Sequence, residues 1–408
     1  MSTRLDPNVS HRRLRVALLH NIISPHVVPL FERLALQPGI SLKVYFLAES
    51  DRNRRWATAI DRKFAYEVLP NWAIRLGRKD LYTFFINPTI ASALIRDRFD
   101  VLISVGWDSF ASQAAFILCK VLGRPYILWS GSTANEPSWR RTITRPIVKA
   151  MVGGSAGWIA YGTRARDYMA TLGADPSRVA IAYNTVDVDG FAARADALRP
   201  QRALIRRELG IGDGPTILYV GQLIERKGAL DLLEAHRILL RSRADAQLLL
   251  VGYGPLEAEL RRRIDADAIT GVKLCGHVAI PDLPRYYVAA DCLAAPSHEE
   301  VWGLVLNEAA ACGLPLVTAE PVGAAPDLVI PGTNGYVIPP RDPVALADAL
   351  NRALDSSEKM GAASRSIISR MTYDQNVEAI VTALRRVTRA SFVPVSGQTP
   401  QSAGRDRT

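Results

Sequence analysis

The stretch PSHEEVWGLVLNEAAACGLP, residues 296–315, is the most informative part of the 408-residue chain. A short apolar run ends at Pro296, a polar loop follows, and the apolar spacing becomes helical near Gly303 and Leu304. Such a strand–loop–helix unit is the repeating element of α/β proteins, whose ligands bind beyond the carboxyl ends of the strands. The stretch therefore predicts an α/β domain with a binding site at this strand end.

Two carboxylates in this stretch, those of Glu300 and Glu308, are predicted to face one ligand. Glu300 precedes the helix and Glu308 lies one turn inside it. The amides of Gly303, Leu304 and Val305 would attract an anion through the helix dipole. Carboxylates beside an anion site fit a sugar, because a carboxylate accepts hydrogen bonds from two vicinal hydroxyl groups. A hydrolytic pair fits less well, and a capping carboxylate beside a surface glutamate is the structural alternative.

The alternation of strands and helices extends through the second half of the chain. Apolar runs predict strands at residues 216–220, 247–251, 272–274, 292–295 and 316–318. The first two end at Gly221 and Gly252, where a ligand can approach the backbone closely. Arg226 and Lys227 precede a predicted helix at 229–240, and two cations with free helix amides suit a diphosphate. A solvated turn explains that segment equally well.

The first half of the chain shows the same alternation of strands and helices. Strands are predicted at residues 14–20, 42–47, 101–105 and 126–129, with helical stretches at 28–36 and 90–98. The two halves predict two doubly wound parallel domains, at residues 13–190 and 191–373, followed by an amphipathic helix at 374–389. Residues 1–12 and 391–408 lack periodicity, and we expect both tails to be disordered.

The charge is distributed unevenly. The chain has 50 Lys and Arg against 40 Asp and Glu, and the whole excess of +10 falls in residues 1–190. This asymmetry favours an anionic partner. Basic residues cluster at 52–79, with Trp56 and Trp72, and at 139–149, and cations beside tryptophans suit an anionic membrane interface. Solvated helix faces explain these clusters equally well.

Several classes of protein are disfavoured. The longest apolar runs are too short or too interrupted to span a bilayer, and the N-terminus has no apolar segment typical of a secretory signal. Four widely spaced cysteines in apolar contexts predict buried, reduced thiols rather than disulfides or a metal site.

The frame P-S-x-x-E-x-x-G-L-x-x-x-E-A-x-A-x-G-x-P around Glu300 and Glu308 resembles that of the retaining glycosyltransferases of family 4. Further segments agree in order and spacing: Asn184–Asp187 with Phe191, Gly221–Gly228, Gly252–Pro255, Gly276-His277, Asp291 and Pro331–Gly335. The resemblance is strong over residues 150–345 and diffuse in the first domain. It implies the GT-B fold, in which two Rossmann-like domains face each other across a cleft and the helix at 374–389 returns to the first domain.

The resemblance also implies roles for individual residues. Glu308 would bind the ribose hydroxyls of a nucleotide, and Glu300 would hold the hydroxyls of the donor sugar. Arg226 and Lys227 would neutralise the departing diphosphate, and the amides of Leu304 and Val305 would bind phosphate. We expect the donor site to be lined as well by Gly221, Gly252, Gly303 and His277. The resemblance implies no metal or cofactor, because cations and a helix dipole stabilise the leaving group. It implies no protein nucleophile either, and the leaving phosphate would assist the acceptor hydroxyl.

Three positions depart from the family pattern. Gln222 stands where the family usually has an arginine, and Gly323-Ala324 replaces a Gly-Gly pair. In the first domain, the loop of residues 21–26 replaces the usual glycines, so that His26 is either an acceptor contact or a packed loop residue. Asp108, after the strand at 101–105, is either an acceptor contact or a helix cap. No catalytic base can be assigned.

The resemblance implies a retaining, metal-independent transferase. It would move a hexose from a UDP- or GDP-linked sugar to a lipid-linked or polysaccharide acceptor, in the cytoplasm or at the inner face of the membrane. Transfer to a soluble small molecule is the alternative. A basic nucleic-acid-binding protein is a third interpretation, but it leaves Glu300 and Glu308 unexplained, and we expect no nucleic-acid partner.

Overall fold

Two parallel β-sheets, one from each half of the chain, form the frame of the protein. The computed structural model describes residues 13–50, 61–76, 82–135 and 139–388. The two predicted disordered tails lie outside the described residues, as do Trp56 and other parts of the basic segment at 52–79.

The first sheet has seven strands in the order β3-β2-β1-β6-β7-β8-β9, and all neighbours are parallel. The chain forms β1 (Leu14–Ile22), β2 (Ile40–Ala48), β3 (Ala65–Val68), an antiparallel hairpin of β4 (Trp72–Leu76) and β5 (Tyr82–Ile86), then β6 (Val101–Val105), β7 (Tyr126–Ser130), β8 (Gly157–Ala160) and β9 (Val179–Ile181). Every residue of β6, β7 and β8 is buried, as expected of central parallel strands covered on both faces.

Helices cover both faces of this sheet. They are α1 (Val28–Ala35), α2 (Ile90–Asp97), α3 (Phe110–Val121), α4 (Trp139–Gly154) and α5 (Thr163–Thr171). Leu94, Ala115 and Val152 belong to one core on the face covered by α2 to α5. Phe31 and Leu34 of α1 belong to a separate core on the opposite face. The strand and helix periods of the sequence therefore generate a three-layer unit.

The second sheet has six parallel strands in the order β12-β11-β10-β13-β14-β15. They are β10 (Thr216–Val220), β11 (Gln247–Val251), β12 (Val272–Gly276), β13 (Cys292–Ala295), β14 (Leu316–Ala319) and β15 (Gly335–Ile338). The helices of this half are α6 (Val188–Leu198), α7 (Arg202–Glu208), α8 (Ala229–Leu239), α9 (Glu257–Ala266), α10 (Leu283–Ala289), α11 (Leu304–Ala311), α12 (Ala325–Leu328), α13 (Pro343–Asp355), α14 (Ser357–Ile368) and α15 (Tyr373–Thr388).

The last helix, α15, packs on the first sheet rather than on the second. Ile380 and Leu384 are fully buried in the core that contains α1. The Tyr373 hydroxyl donates to the carbonyl of His26 over 2.9 Å, and Arg33 forms an ion pair with Asp374 at 3.1 Å. The chain thus crosses from the first half to the second and back again. The exact domain boundaries given above stay a prediction.

The predicted architecture of two parallel α/β sheets is confirmed, and the strands expected at 101–105, 216–220, 247–251 and 292–295 have those bounds. The sequence analysis did not identify β3, the β4–β5 hairpin, β8, β9 or β15, which are short. Cys119, Cys275, Cys292 and Cys312 are all unpaired, and all but Cys275 are buried. Within the described ranges, no helix is both long and apolar enough to cross a membrane.

Candidate functional site

The strand ends of the second sheet meet at three glycines, Gly221, Gly252 and Gly276, of which Gly252 admits no side chain. Gly252 has a φ of 146°, and a Cβ atom there would lie 1.7 Å from the carbonyl oxygen of Gly221. The Gly221 N–H donates to Val251 and the Gly252 N–H to Gly276, over 3.0 and 2.8 Å. These glycines therefore bring the ends of β10, β11 and β12 together and leave their edge open to a ligand.

The turn after β10 lies directly against the end of β13. Gly228 is left-handed, with a φ of 71°, and a Cβ atom there would lie 2.2 Å from the carbonyl oxygen of Pro296. A 3-10 turn over Glu225–Lys227 precedes Gly228, and α8 begins directly after it. The segment predicted to bind a diphosphate is thus fixed beside the loop that carries Glu300.

The cations of this turn contact that loop. Lys227 Nζ forms an ion pair with Glu300 Oε2, and both side chains are largely buried. Arg226 donates to the carbonyl of Glu299 over 3.4 Å, and the N–H of His298 donates to the carbonyl of Arg226 over 2.8 Å. The structure thus brings Arg226, Lys227 and Glu300 together, and the negative charge of Glu300 is balanced by Lys227.

The helix α11 begins where the sequence analysis expected. Gly303 is its N-cap, with a φ of 97°, and supplies no side-chain hydrogen bond to the first turn. The first amides of a helix have no intrahelical partner. The amides of Leu304 and Val305 therefore lie in the first turn of a helix whose dipole favours an anion. Both residues are half-buried, so this turn is partly accessible.

Glu308 lies inside α11 and is buried, with 6% exposure. The Tyr287 hydroxyl donates to Glu308 Oε2 over 2.6 Å. Burial raises the pKa of Glu308 to about 7, although the Tyr287 hydrogen bond and the positive charge of Arg194 both act to lower it. A carboxylate kept in a costly environment of this kind is typical of a functional site.

The loop after β14, at residues 320–324, forms hydrogen bonds with the loop that carries Glu300. The Gly323 N–H donates to the carbonyl of Glu300 over 3.0 Å, and the Ala324 N–H donates to that of Trp302 over 2.9 Å. A Cβ atom at Gly323 would lie 1.9 Å from the carbonyl of Val301, so a glycine is required there. Ala324 is fully buried. The departure from Gly-Gly at this position therefore leaves the close contact at Gly323 intact.

His277 lies farther out than the other predicted site residues. It follows β12, the edge strand of the sheet, and is exposed. Its ring lies 5.5 Å from that of Tyr253, in the loop after β11. The structure therefore places His277 on the side of the Gly252 loop, away from the Glu300–Lys227 pair.

One of the two roles predicted for Asp108, that of a helix cap after β6, is wrong. The cap of α3 is Ser109, whose hydroxyl accepts a hydrogen bond from the Ser112 N–H over 3.0 Å. Asp108 therefore does not serve as the helix cap, because the chain enters α3 one residue later than the capping interpretation required. The N–H of His26 donates to the hydroxyl of Ser24 over 3.3 Å.

Three residues of this region were not identified from the sequence: Tyr287, Trp302 and Asp327. Tyr287 is fully buried and sits in an apolar helical pattern, so its sequence context resembles that of a core aromatic residue. Asp327 contacts Thr163, which lies 164 positions earlier, and no local sequence pattern predicts such a contact. In the parts of the chain that the structure describes, no cluster of three or more His, Cys, Asp or Glu side chains could hold a metal ion.

Comparisons with known proteins agree with this geometry. A family model for glycosyl transferases group 1 matches residues 214–356, which contain every strand from β10 to β15. The chain is 31% identical over 274 residues to the GDP-mannose-dependent alpha-(1-6)-phosphatidylinositol monomannoside mannosyltransferase of Mycolicibacterium smegmatis, covering 58% of this chain and 70% of that protein. It is 30% identical over 351 residues to the GDP-mannose-dependent monoacylated alpha-(1-6)-phosphatidylinositol monomannoside mannosyltransferase of Corynebacterium glutamicum, covering 82% of this chain and 86% of that one.

The chain belongs to the group 1 glycosyltransferases. The structure is also similar to HepE of Anabaena, solved in complex with UDP, with a TM-score of 0.69 and 18% identity over 91% of this chain and 99% of that one. This likeness confirms the predicted GT-B fold. The protein is therefore a glycosyltransferase built on two parallel α/β sheets.

Proposed function

We propose that this glycosyltransferase moves a hexose from a UDP- or GDP-linked sugar to a lipid-linked or polysaccharide acceptor, as a retaining, metal-independent enzyme of family 4. One observation carries the proposal. Glu300 and Glu308 flank the first turn of α11, beside Arg226 and Lys227 in the turn after β10. This arrangement offers carboxylates to hydroxyl groups and positive charge to a diphosphate within one site.

Glu308 is the proposed ribose ligand. Its buried carboxylate lacks most of its hydration, and burial has raised its pKa to about 7. Two ribose hydroxyls that donate to it would restore the lost hydrogen bonds, and hydrogen bonds to a charged group contribute about 1.5–3 kcal/mol each. Nucleotide binding would therefore stabilise the ionised form of Glu308.

Arg226 and Lys227 are the proposed partners of the diphosphate, together with the amides of Leu304 and Val305. Lys227 already balances Glu300, so an arriving phosphate would share this cation with the carboxylate that binds the sugar hydroxyls. As the bond between the sugar and the phosphate oxygen breaks, the electron pair leaves with the diphosphate. The cations and the helix dipole stabilise that charge without a metal ion.

Retention follows if the acceptor attacks from the face that the diphosphate leaves. A leaving phosphate oxygen then takes the proton of the acceptor hydroxyl while the new glycosidic bond forms on the same side. Glu300 would hold the sugar hydroxyls during this step. No protein nucleophile or general base is needed in such a step.

The names of two relatives indicate which donor and which acceptor to test first. Both are named as GDP-mannose-dependent enzymes that act on phosphatidylinositol mannosides. GDP-mannose is therefore the first donor to test here, and a phosphatidylinositol monomannoside is the first acceptor. A lipid acceptor requires the protein to work at a membrane surface, which agrees with the excess positive charge of residues 1–190.

The outer side of α3 and α4 is the proposed membrane surface. Phe110, Ile117 and Val121 on α3 are 50%, 61% and 77% exposed, and Ile143 and Ile147 on α4 are 66% and 50% exposed. The two helices cover the same face of the first sheet.

Charge supports an anionic partner for this surface. Arg145 and Lys149 on α4 are exposed as well. Between Asp108 and Asp167, Glu136 is the single acidic residue of the sequence, against eight Lys and Arg. Apolar side chains flanked by cations suit the interface of an anionic bilayer.

A transfer assay tests the chemistry. The protein would be incubated with GDP-mannose, or with UDP-glucose, and vesicles that contain phosphatidylinositol monomannoside, with and without EDTA. We expect a lipid product whose new linkage keeps the α configuration of the donor by NMR, at a rate that EDTA does not change. A β-linked product would contradict retention, and a product formed only from soluble myo-inositol phosphate would favour the soluble-acceptor alternative.

Vesicle sedimentation tests the membrane surface. The double variant Ile117→Ser with Ile147→Ser should bind phosphatidylglycerol vesicles at least tenfold more weakly than the wild type, since each loses buried apolar area. Leu36→Ser is the matched control, because Leu36 is 79% exposed and follows α1, on the opposite face of the sheet. Equal binding by the double variant and the control would refute this surface.

A further inference from the structure

The start of α5, in the first half of the chain, is capped by a residue of the second half. The backbone N–H of Thr163 donates to Asp327 Oδ2 over 3.0 Å, and the Thr163 hydroxyl donates to the other carboxylate oxygen. Gly162, the N-cap position, supplies no side-chain cap of its own. A carboxylate at a helix N-terminus satisfies free amides and interacts favourably with the helix dipole. Asp327 therefore completes a helix that belongs to the other sheet.

The next residue, Arg164, binds the loop after β14. Its Nη1 atom donates to the backbone carbonyls of Glu320 and Val322, the second over 3.1 Å. The guanidinium is half-buried in this contact. Because the two acceptors are two residues apart in the same loop, a single side chain from the first half fixes the course of that loop.

The loop held by Arg164 is the one that holds Glu300. Val322 forms a parallel β-bridge with Glu300, and the N–H of Gly323 donates to the carbonyl of Glu300 over 3.0 Å. One unbroken series of contacts thus leads from Arg164 through Val322 and Gly323 to the backbone of Glu300.

A second contact reaches the same loop by packing. A Cβ atom at Gly162 would lie 2.4 Å from the ring of Trp302 and 2.7 Å from Asp327 Oδ2, so the glycine allows both to approach. Trp302 is 3% exposed, lies two residues after Glu300, and donates its Nε1–H to Asn307 over 2.9 Å. The first half of the chain thus touches the Glu300 loop from two directions.

We propose that Gly162, Thr163 and Arg164 form a latch through which the first half of the chain positions Glu300 for the donor sugar. Thr163 and Arg164 are positioning residues, because they act on the sugar through the 320–324 loop and not by contact with it. The inference rests on the proposed function, in which Glu300 holds the sugar hydroxyls. It assigns a role in donor recognition to residues outside the half of the chain that carries the donor site.

The latch should affect the sugar and not the nucleotide. Glu308, the proposed ribose ligand, is held by Tyr287 from α10, whereas the latch contacts Trp302, the 320–324 loop and Asp327 of α12. Loss of the latch should therefore weaken binding of a nucleotide sugar while binding of the free nucleotide stays the same. A purely structural role would weaken both.

Calorimetric titration of Arg164→Ala with GDP and GDP-mannose, and with UDP and UDP-glucose, tests this split. For the pair that the wild type binds, we expect the variant to bind the nucleotide sugar about tenfold more weakly and the nucleotide within about twofold of wild type. Thr163→Val should show the same split to a smaller degree, since the N–H of Thr163 remains. Arg166→Ala is the matched control on the same helix, because Arg166, like Arg164, places positive charge near Asp327 but hydrogen-bonds to its own neighbour Asp167.

Hydrogen exchange tests the latch without any ligand. The amides of Gly323 and Ala324 donate to the backbone carbonyls of Glu300 and Trp302. Both amides should exchange faster in Arg164→Ala than in the wild type. In Arg166→Ala their exchange rates should equal those of the wild type. Equal loss of nucleotide and nucleotide-sugar affinity, or unchanged exchange at both amides, would overturn the latch. Faster exchange in a protein that binds none of the four ligands would instead contradict the proposed function and leave the latch intact.

Discussion

Replacement of Glu308 by glutamine should stabilise the protein and at the same time remove its nucleotide binding. Glutamine has nearly the same shape and keeps an oxygen that accepts the Tyr287 hydrogen bond. It removes the charge that burial penalises. If the loss of Glu308 raises stability, then Glu308 serves a purpose other than stability. At this site, that purpose is ligand binding.

The size of the effect follows from the pKa of Glu308. Burial raises it from 4.5 to about 7, and each pKa unit corresponds to about 1.4 kcal/mol. Because the folded state holds the proton more tightly than the unfolded chain, the stability of the wild type falls as pH rises from about 4.5 to about 7. Glutamine does not titrate, so the variant should gain up to about 3 kcal/mol relative to the wild type across this window, with no further gain above it.

Several charged or titratable groups surround this carboxyl. Tyr287 contacts it from α10, Arg194 acts on it from α6, and Cys312 lies one turn later, directly after α11. Burial raises the pKa values of Tyr287 and Cys312, so neither ionises between pH 5 and 8. The expected pH dependence therefore belongs to Glu308.

Thermal melting at pH 5 and pH 8 measures the effect. At pH 8 the melting temperature of Glu308→Gln should exceed that of the wild type by about 6–12 °C, since about 3 kcal/mol corresponds to that shift in a domain of this size. The difference should be much smaller at pH 5. Glu378→Gln, at an exposed position on α15, is the control and should show neither change. A variant that is less stable than the wild type at pH 8, or a difference independent of pH, would refute the reasoning.

Two further substitutions test the geometry of the site. Gly252→Ala should abolish nucleotide binding measured by calorimetry, because its Cβ atom would lie 1.7 Å from the Gly221 carbonyl at a φ of 146°, whereas Gly212→Ala, with nothing within 4 Å, should bind as the wild type does. Tyr287→Phe removes a hydrogen bond that lowers the pKa of Glu308, so the pH dependence of nucleotide affinity should move to higher pH. Unchanged affinity in the first variant, or a profile shifted to lower pH in the second, would contradict the proposed donor site.

The sequence predicted the parts of the fold that have local causes. The strand at 292–295 and the start of α11 after Gly303 were both placed correctly. An apolar run that ends at a proline or a glycine marks such boundaries without reference to the rest of the chain. The hairpin of β4 and β5 was missed, because these short strands lie among basic residues that mask the strand pattern.

The composition of the site was predictable only in part. The frame around Glu300 and Glu308 and the cations of the β10 loop are encoded in two short stretches. The ion pair between Lys227 and Glu300 joins residues 73 positions apart, and the cap on Thr163 comes from a residue 164 positions away. Such contacts depend on how separate elements pack together, and no spacing rule within a segment can predict them.

Titration of the purified protein with GDP, UDP, GDP-mannose and UDP-glucose, in the wild type and in Glu308→Ala, tests the central claim most directly. The account predicts that the wild type binds the nucleotide and the nucleotide sugar of one base selectively. It also predicts that Glu308→Ala, which loses hydrogen bonds to a charged group, binds them at least tenfold more weakly. Equal affinities in the two proteins, or no binding of any of the four ligands by the wild type, would contradict a donor site at Glu300 and Glu308.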